Sequence, residues 1–278
     1  MTASIAPPIL RPLAAALLLL ASAPAAAQLL GTASAFAVLG ATPNVTNTGA
    51  SVVFGSVGVW PALSITGFPP GVIVPGTGAL HPGDATAQQA QTDTTAAYLT
   101  LAGLAGAPIA PALGGQTLTP GIYNAGAANL TGTLTLNGPG LYVIQTTALT
   151  TASGPAASSV SLINGATPCD IWWQVGSSAA IGTFSAMQGN ILALTSITIA
   201  TSASLNGRAL ARNGTVTMDT NAINACSGGS TPGFIVPPVG QPLINSAQPT
   251  PTLSEWAMIL LVGLMAFAGL ASVRRRNR

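Results

Sequence analysis

The chain has 278 residues, of which only 4% are charged, and its formal net charge at pH 7 is +2. The positive charge comes from the two ends, because residues 28–250 contain two arginines and four aspartates and therefore carry a net charge of −2. This stretch has no basic patch, which excludes nucleic acid as a partner. It is rich in Val, Ile and Thr and long enough for one ordered β-type domain.

The first 27 residues have the parts of a signal peptide. Arg11 precedes an apolar run over residues 13–21, and three alanines at 25–27 supply the small residues of a cleavage site. We predict a signal peptide over 1–27 and export of the protein. A short membrane anchor is the alternative, although the apolar run is too short to span a bilayer.

Residues 29–104 predict strands followed by one helix. The apolar runs 36–40 and 52–59 lie between turn residues, as in strands. Asp84 can cap a helix, and the next twenty residues lack proline and long β-branched runs. We predict a helix over 84–104, ended by Gly103, Gly106 and Pro108. Its apolar face combines five residues at helical spacing: Ala87, Ala90, Ala97, Leu101 and Leu104.

After Pro111 the pattern returns to strands. We predict them over 117–123, 130–136, 141–145, 160–163, 171–175, 191–199 and 205–211.

An internal repeat lies in this second part of the chain. Residues 181–195 match residues 199–213 at a shift of 18, with Ile181 over Ile199, Met187 over Leu205 and Leu192 over Leu210 at the apolar positions. A fixed period of this size with β-type residues predicts stacked solenoid coils. A β-sandwich with chance similarity is the alternative.

Cys169 and Cys226 are the only cysteines. After export they meet an oxidising environment that permits a disulfide, and two free buried thiols are the alternative.

The C-terminal part changes in composition. Residues 229–250 are rich in Pro, Gly and Ser and predict a linker. Residues 257–273 form an uncharged apolar stretch followed by four arginines, which predicts a transmembrane helix with the arginines on the cytoplasmic side. A buried core helix is the alternative, although this stretch has no polar face.

Few side chains in the domain could carry out catalysis. His81, with Asp84 and Asp93 near the start of the helix, is the one cluster that an acid–base or metal site could use. A helix cap and solvated surface explain these residues more simply. We predict no enzyme, no cofactor and no metal. An enzyme that uses His81 remains a minor hypothesis.

Several blocks resemble, in order over about residues 29–224, the ice-binding-like domain family of microbes. They are LGTASAFAVLG (30–40), VTNTG (45–49), TGFPPG (66–71), LTPGIY (118–123), WQVGSSA (173–179), GNILALTSI (189–197) and NGRALARNG (206–214). The resemblance implies a mainly β fold, a discontinuous right-handed parallel β-solenoid over 28–228 with one long helix packed alongside. It also implies that a flat face bearing threonines binds ice by ordering water.

The resemblance implies that the turns before the Gly189 and Gly207 blocks lie on the ice-binding face, and the candidates there are Thr183, Ser185, Thr201 and Ser204. Thr151 and Ser153 are candidates that extend this face. Phe184 and Ser202 stand where the family motif has small residues.

The tail over 251–278 resembles the Pro-Thr-Leu type of bacterial C-terminal sorting signal. The signal residues are Pro251, Thr252, Leu253, Ser254, Glu255 and Trp256. The resemblance implies recognition by a membrane sorting protease, transient anchoring in the inner membrane, and transfer to the cell surface or medium.

Two function hypotheses from different classes follow. In the first, the protein binds the surface of ice crystals. In the second, the same fold is a cell-surface adhesion or matrix module that binds a surface glycan or a protein.

Overall fold

The computed structural model describes residues 29–154 and 157–226. Within these residues the chain is mainly β, with three parallel sheets and one α-helix, as predicted. The predicted signal peptide, linker and C-terminal transmembrane helix lie outside the described residues. In the part that is described, no helix is both long and apolar enough to cross a membrane.

The strands are short, and they follow a 3₁₀ helix at Gly31–Ala35. In the first half they are β1 (Phe36–Gly40), β2 (Val45–Asn47), β3 (Val52–Phe54), β4 (Ser56–Val59), β5 (Ile65–Thr66), β6 (Val72–Ile73), β7 (Leu80–Pro82), β8 (Ala107–Pro108), β9 (Thr117–Leu118), β10 (Gly121–Asn124), β11 (Ala127–Leu130) and β12 (Thr133–Asn137). The second half contains β13 (Tyr142–Thr146), β14 (Ala148–Thr151), β15 (Ser159–Ile163), β16 (Ile171–Val175), β17 (Ala179–Ile181), β18 (Ala186–Gln188), β19 (Asn190–Ala193), β20 (Ile197–Ile199), β21 (Ser204–Asn206), β22 (Ala209–Ala211), β23 (Val216–Met218) and β24 (Ala222–Asn224). A second 3₁₀ turn, Pro168–Asp170, precedes β16.

Apart from β7 and β8, which flank the helix, successive strands belong to different sheets, and three strands make one coil of a solenoid. Sheet A has the order β7-β4-β1-β22-β19-β16-β13-β10-β8, and sheet B the order β11-β14-β17-β20-β23-β2-β5. Sheet C has the order β6-β3-β24-β21-β18-β15-β12-β9. Every pair of neighbouring strands in these sheets is parallel.

The order of the coils in space differs from their order in the chain. Strand β1 pairs with β4 on one side and with β22 on the other, so the first coil lies against the last one. Strands β7 and β8 are at opposite ends of sheet A. The helix α1 (Ala85–Ala102) lies between them in the chain, and its 18 residues extend about 27 Å. The solenoid is therefore discontinuous, as predicted.

Helix α1 confirms the sequence prediction to within two residues at each end. The side chain of Asp84 accepts a hydrogen bond from the backbone N–H of Ala87 at 2.8 Å, and Gly103 is the C-cap. All five residues of the predicted apolar face are buried. They pack with residues such as Val143, Leu192 and Leu210 on the outer side of sheet A. Because α1 covers sheet A, flat solvated faces are found on sheets B and C.

The repeat of 18 residues is confirmed by the strand register. Ile181 pairs with Ile199, Met187 with Leu205 and Leu192 with Leu210, each on adjacent coils. These pairs are parallel, which contradicts the β-sandwich alternative because a sandwich of this type is built from antiparallel strands.

Some predicted strands were too long, because an apolar run continued through a corner of the solenoid. Residues 52–59 contain β3 and β4, which are separated by Gly55 at a φ of 127°. Residues 205–211 contain β21 and β22, separated by Gly207 at a φ of 150°. Positive φ values favour glycine, and here they turn the chain from sheet C into sheet A.

Cys169 and Cys226 form a disulfide, with their Cα atoms 5.5 Å apart. The bridge joins the turn before β16 to the residues after β24. Beside it, the buried guanidinium of Arg208 donates hydrogen bonds to the carbonyl oxygens of Ser34 and Cys226, at 2.8 and 2.9 Å, and to Oδ1 of Asn190 at 2.9 Å. Burial lowers the pKa of Arg208 to about 10. These contacts tie the last coil to the start of the first.

Candidate functional site

The side chains of the His81 cluster have structural partners. Nδ1 of His81 lies 2.8 Å from Oδ2 of Asp84, which also caps α1. The hydrogen bond from Ala87 and then that from His81 lower the pKa of Asp84. Asp93 accepts hydrogen bonds at 2.7 Å from both the backbone N–H and the hydroxyl of Thr32. Among the described residues, no three His, Cys, Asp or Glu side chains could together hold a metal ion.

Two of the six predicted surface residues are buried, and these two assignments are corrected. Thr151 is 9% exposed and Ser185 is fully buried. Their hydroxyl oxygens are 2.9 Å apart, and Oγ1 of Thr151 accepts a hydrogen bond from the N–H of Gly182 at 2.7 Å. Both side chains point inward at the turn between sheets B and C, so neither can contact an external surface.

The other four candidates are divided between that turn and sheet C. Ser153 accepts a hydrogen bond from the N–H of Thr183 at 3.2 Å, and Oγ1 of Thr183 accepts one from the N–H of Gly154 at 3.1 Å. Ser204 lies on β21 in sheet C. The six residues therefore do not form one flat face.

The hydroxyl of Thr201 also has a partner in this turn, since it donates to Oδ2 of Asp219 at 2.5 Å. That hydrogen bond, followed by one from Thr220, lowers the pKa of Asp219. Phe184 and Ser202 stand in the same turn with φ values of 60° and 61°, and Phe184 is 63% exposed. The turn is therefore irregular and carries a protruding ring.

Sheet B carries a regular outward row of side chains that the predicted site residues did not include. One outward side chain from each strand stands in register with the next, and the row consists, in spatial order, of Asn129, Thr150, Ala180, Thr198, Thr217, Thr46 and Thr66. Neighbouring strands are about 4.8 Å apart. The last four residues lie side by side, and we call them the threonine row.

The alternation of side chains in each strand turns these threonines outward. Thr198 is exposed between the buried residues Ile197 and Ile199, and Thr217 is half-buried between Val216 and Met218, which are buried. β-Branched residues also suit strands intrinsically.

The hydroxyls of the threonine row are free to bind solvent. None of the four has a hydrogen-bond partner within residues 29–154 and 157–226. At the other end of the sheet, by contrast, Asn129 donates to the hydroxyl of Thr150 at 3.2 Å. The threonine row therefore presents methyl and hydroxyl groups at a regular spacing and without charge. The row itself contains no titratable side chain that could activate these hydroxyls.

Comparison with known sequences finds two family models and several ice-binding proteins that are similar to this chain. A family model described as Ice-binding-like matches residues 39–224, and one described as the IPTL-CTERM motif matches residues 248–276. The chain is 48% identical over 212 residues to the ice-binding protein of Nostoc sp. (strain HG1), covering 73% of this chain and 76% of that protein. It is 31% identical to ice-binding protein 1 of Shewanella frigidimarina, covering 70% of this chain but 25% of that longer protein.

Solved structures of ice-binding proteins also have folds similar to that of this chain. The crystal structure of an ice binding protein from an Antarctic biological consortium has a TM-score of 0.65 and 43% identity, covering 70% of this chain and 89% of that one. The structure of the ice-binding protein from the ascomycete Antarctomyces psychrotrophicus has a TM-score of 0.66 and 39% identity, covering 71% and 98%. From these matches and the fold, we conclude that the chain belongs to the Ice-binding-like family.

Proposed function

We propose that this protein binds ice, and that sheet B is the surface that contacts the crystal. The observation that carries this proposal is the threonine row, in which Thr198, Thr217, Thr46 and Thr66 stand on four adjacent parallel strands, with hydroxyls that bond to no other described residue. The family membership of the chain and the names of its relatives support the same function.

The physical basis is the repeat and rigidity of the row. Parallel strands hold the hydroxyls at steps of about 4.8 Å, a repeat close to that of water in an ice lattice. The methyl groups keep the water layer on the threonine row flat. Each hydroxyl can both donate a hydrogen bond to this water and accept one from it. Buried side chains below the sheet prevent it from bending. Water ordered in this way can merge with the growing crystal, so no chemical step is required.

The exposed candidates at the turn extend this proposal. Ser153, Thr183 and Thr201 border sheet B where the chain turns towards sheet C, and we propose that they form the rim of the ice surface. We also infer that the coils are right-handed, as parallel β connections are. We infer that the protein is not an enzyme, since the four aspartates in the described part of the chain cap the helix or accept hydrogen bonds from threonines.

An ice recrystallisation assay on the purified full chain tests the function. We expect crystals held just below the melting point to stay small at micromolar protein, because bound protein stops the growth of large crystals at the expense of small ones. A protein of similar size without an ice surface is the control. Crystals that coarsen as fast as in buffer would show that the protein does not bind ice.

For the termini, we propose export through residues 1–27, transient anchoring in the inner membrane through 251–278, and cleavage near Pro251–Trp256 by a sorting protease. The match of residues 248–276 to the IPTL-CTERM motif supports this order of events. Mass spectrometry of the envelope protein from its own host should find a C-terminus between residues 251 and 256. A dominant form that ends at Arg278 would instead indicate a permanent anchor.

A further inference from the structure

Sheet C has an outward row whose chemistry differs from that of sheet B. Phe54, Asn224, Asn206 and Gln188 stand in register on the adjacent strands β3, β24, β21 and β18. We call the last three residues the amide ladder. Phe54 is 42% exposed beside it.

The side chains of the amide ladder have no hydrogen-bond partner in the part of the chain that the structure describes, and Oε1 of Gln188 is also buried. Two polar pairs on or beside the same sheet are, by contrast, hydrogen-bonded to each other. The hydroxyls of Thr133 and Ser159 are 2.8 Å apart. Asn164 donates to Asn137 at 2.7 Å. Oε1 of Gln188 is enclosed, but the amide of Asn206 is half-buried and that of Asn224 is exposed, so these two amides are accessible to a ligand.

A shallow open groove follows the ladder. Beside the amides it is lined by Phe54 and by the small side chains of Ser204 and Ala222, which stand in the neighbouring outward row. These small residues leave space above the sheet, with the longer amides on one side. The lining contains no charged residue.

We propose that this groove binds a neutral polysaccharide. The amides of Asn206 and Asn224 can both donate and accept hydrogen bonds, which suits the hydroxyls of a sugar. The ring of Phe54 offers an apolar face against which the C–H groups of a pyranose can pack. The strand spacing of about 4.8 Å is close to the length of one sugar unit in an extended chain, so successive sugars can meet successive coils.

The absence of charge selects among the glycans. Without a cationic side chain, the groove offers no compensation for the desolvation of carboxylates or sulfates. A neutral polymer loses less hydration free energy when it enters the groove. The site is on a different sheet from the threonine row and acts independently of ice binding. A groove with this chemistry would hold the protein to hydrated polysaccharides outside the cell.

The test is native affinity electrophoresis of the full chain in gels that contain hydroxyethylcellulose, dextran or xylan, with a gel without polymer to correct for mobility. We expect at least one of these neutral polymers to retard the protein. The double variant Asn206→Ala/Asn224→Ala and the single variant Phe54→Ala should each weaken retardation roughly five- to tenfold, as expected for the loss of hydrogen bonds or ring packing. The control Thr135→Ala, on sheet C beyond the groove, should bind normally.

Several outcomes would overturn the proposal. These are no retardation in any of the three polymers, or equal retardation of the ladder variants and the control. Circular dichroism checks that each variant is folded, and the milder variant Asn224→Ala, at an exposed position, replaces any that is not. The variant Thr217→Tyr on sheet B should keep its retardation. If it alone loses retardation, the polymer binds sheet B and the proposal is wrong.

Discussion

Replacing Thr217 with tyrosine is expected to raise the protein concentration needed to stop ice recrystallisation by roughly tenfold or more, which corresponds to at least about 1.4 kcal/mol of lost binding free energy. Thr217 stands between Thr198 and Thr46 in the threonine row. A tyrosine ring at this position rises above the threonine row and interrupts the water layer that we propose is ordered on it. The fold should tolerate the change, because the side chain points outward.

Three further variants make this test specific. Thr135→Tyr places the same ring on an outward position of sheet C and should leave ice activity unchanged. Thr183→Tyr and Thr201→Tyr alter the turn between sheets B and C, which we assign to the rim, and should have a smaller effect than Thr217→Tyr. If the turn variants lose activity and Thr217→Tyr does not, the ice surface is the turn and sheet B is excluded.

Removing the disulfide should produce the largest change in stability. The bridge spans 57 residues in sequence, and the loop-entropy model predicts that the double variant Cys169→Ser/Cys226→Ser loses about 4 kcal/mol in the free energy of unfolding. For a domain of this size the midpoint of thermal unfolding should fall by about 10 °C. The double variant lacks the covalent link between the turn before β16 and the residues after β24, beside Arg208.

Thermal unfolding monitored by circular dichroism measures this effect. The wild-type protein treated with a reductant is the matched control, and its midpoint should fall to that of the double variant. A double variant that unfolds within about 2 °C of the oxidised wild type would show that packing around Arg208 is sufficient without the bridge.

The local elements of the fold were predictable because their signals lie in neighbouring residues. Asp84 and the spacing of alanines and leucines predicted α1, and the match of Ile181 to Ile199 predicted the coil repeat that the register confirms. The corners of the solenoid were harder to predict. Apolar residues point into the core on both sides of Gly55 and Gly207, so hydrophobicity alone does not show where one sheet ends and the next begins.

The surface we assign to ice could not be located in this way. Sequence similarity directed the prediction to turn residues, two of which, Thr151 and Ser185, form hydrogen bonds in the interior. Each of Thr46, Thr198 and Thr217 lies between buried residues of its own strand, but nothing in the local context indicates that the three share a face.

The sequence by itself determined the coil, the helix and the alternation that turns one threonine outward from a strand, since all of these depend on residues close together in the chain. Only the tertiary structure decided that the first coil packs against the last, which makes Thr46 and Thr217 neighbours across more than half of the chain. Strand pairing between distant segments depends on the mutual burial of whole coils rather than on any local pattern. The threonine row exists because α1 carries the chain along the solenoid and leaves the first coil at the position where the last one can pair with it.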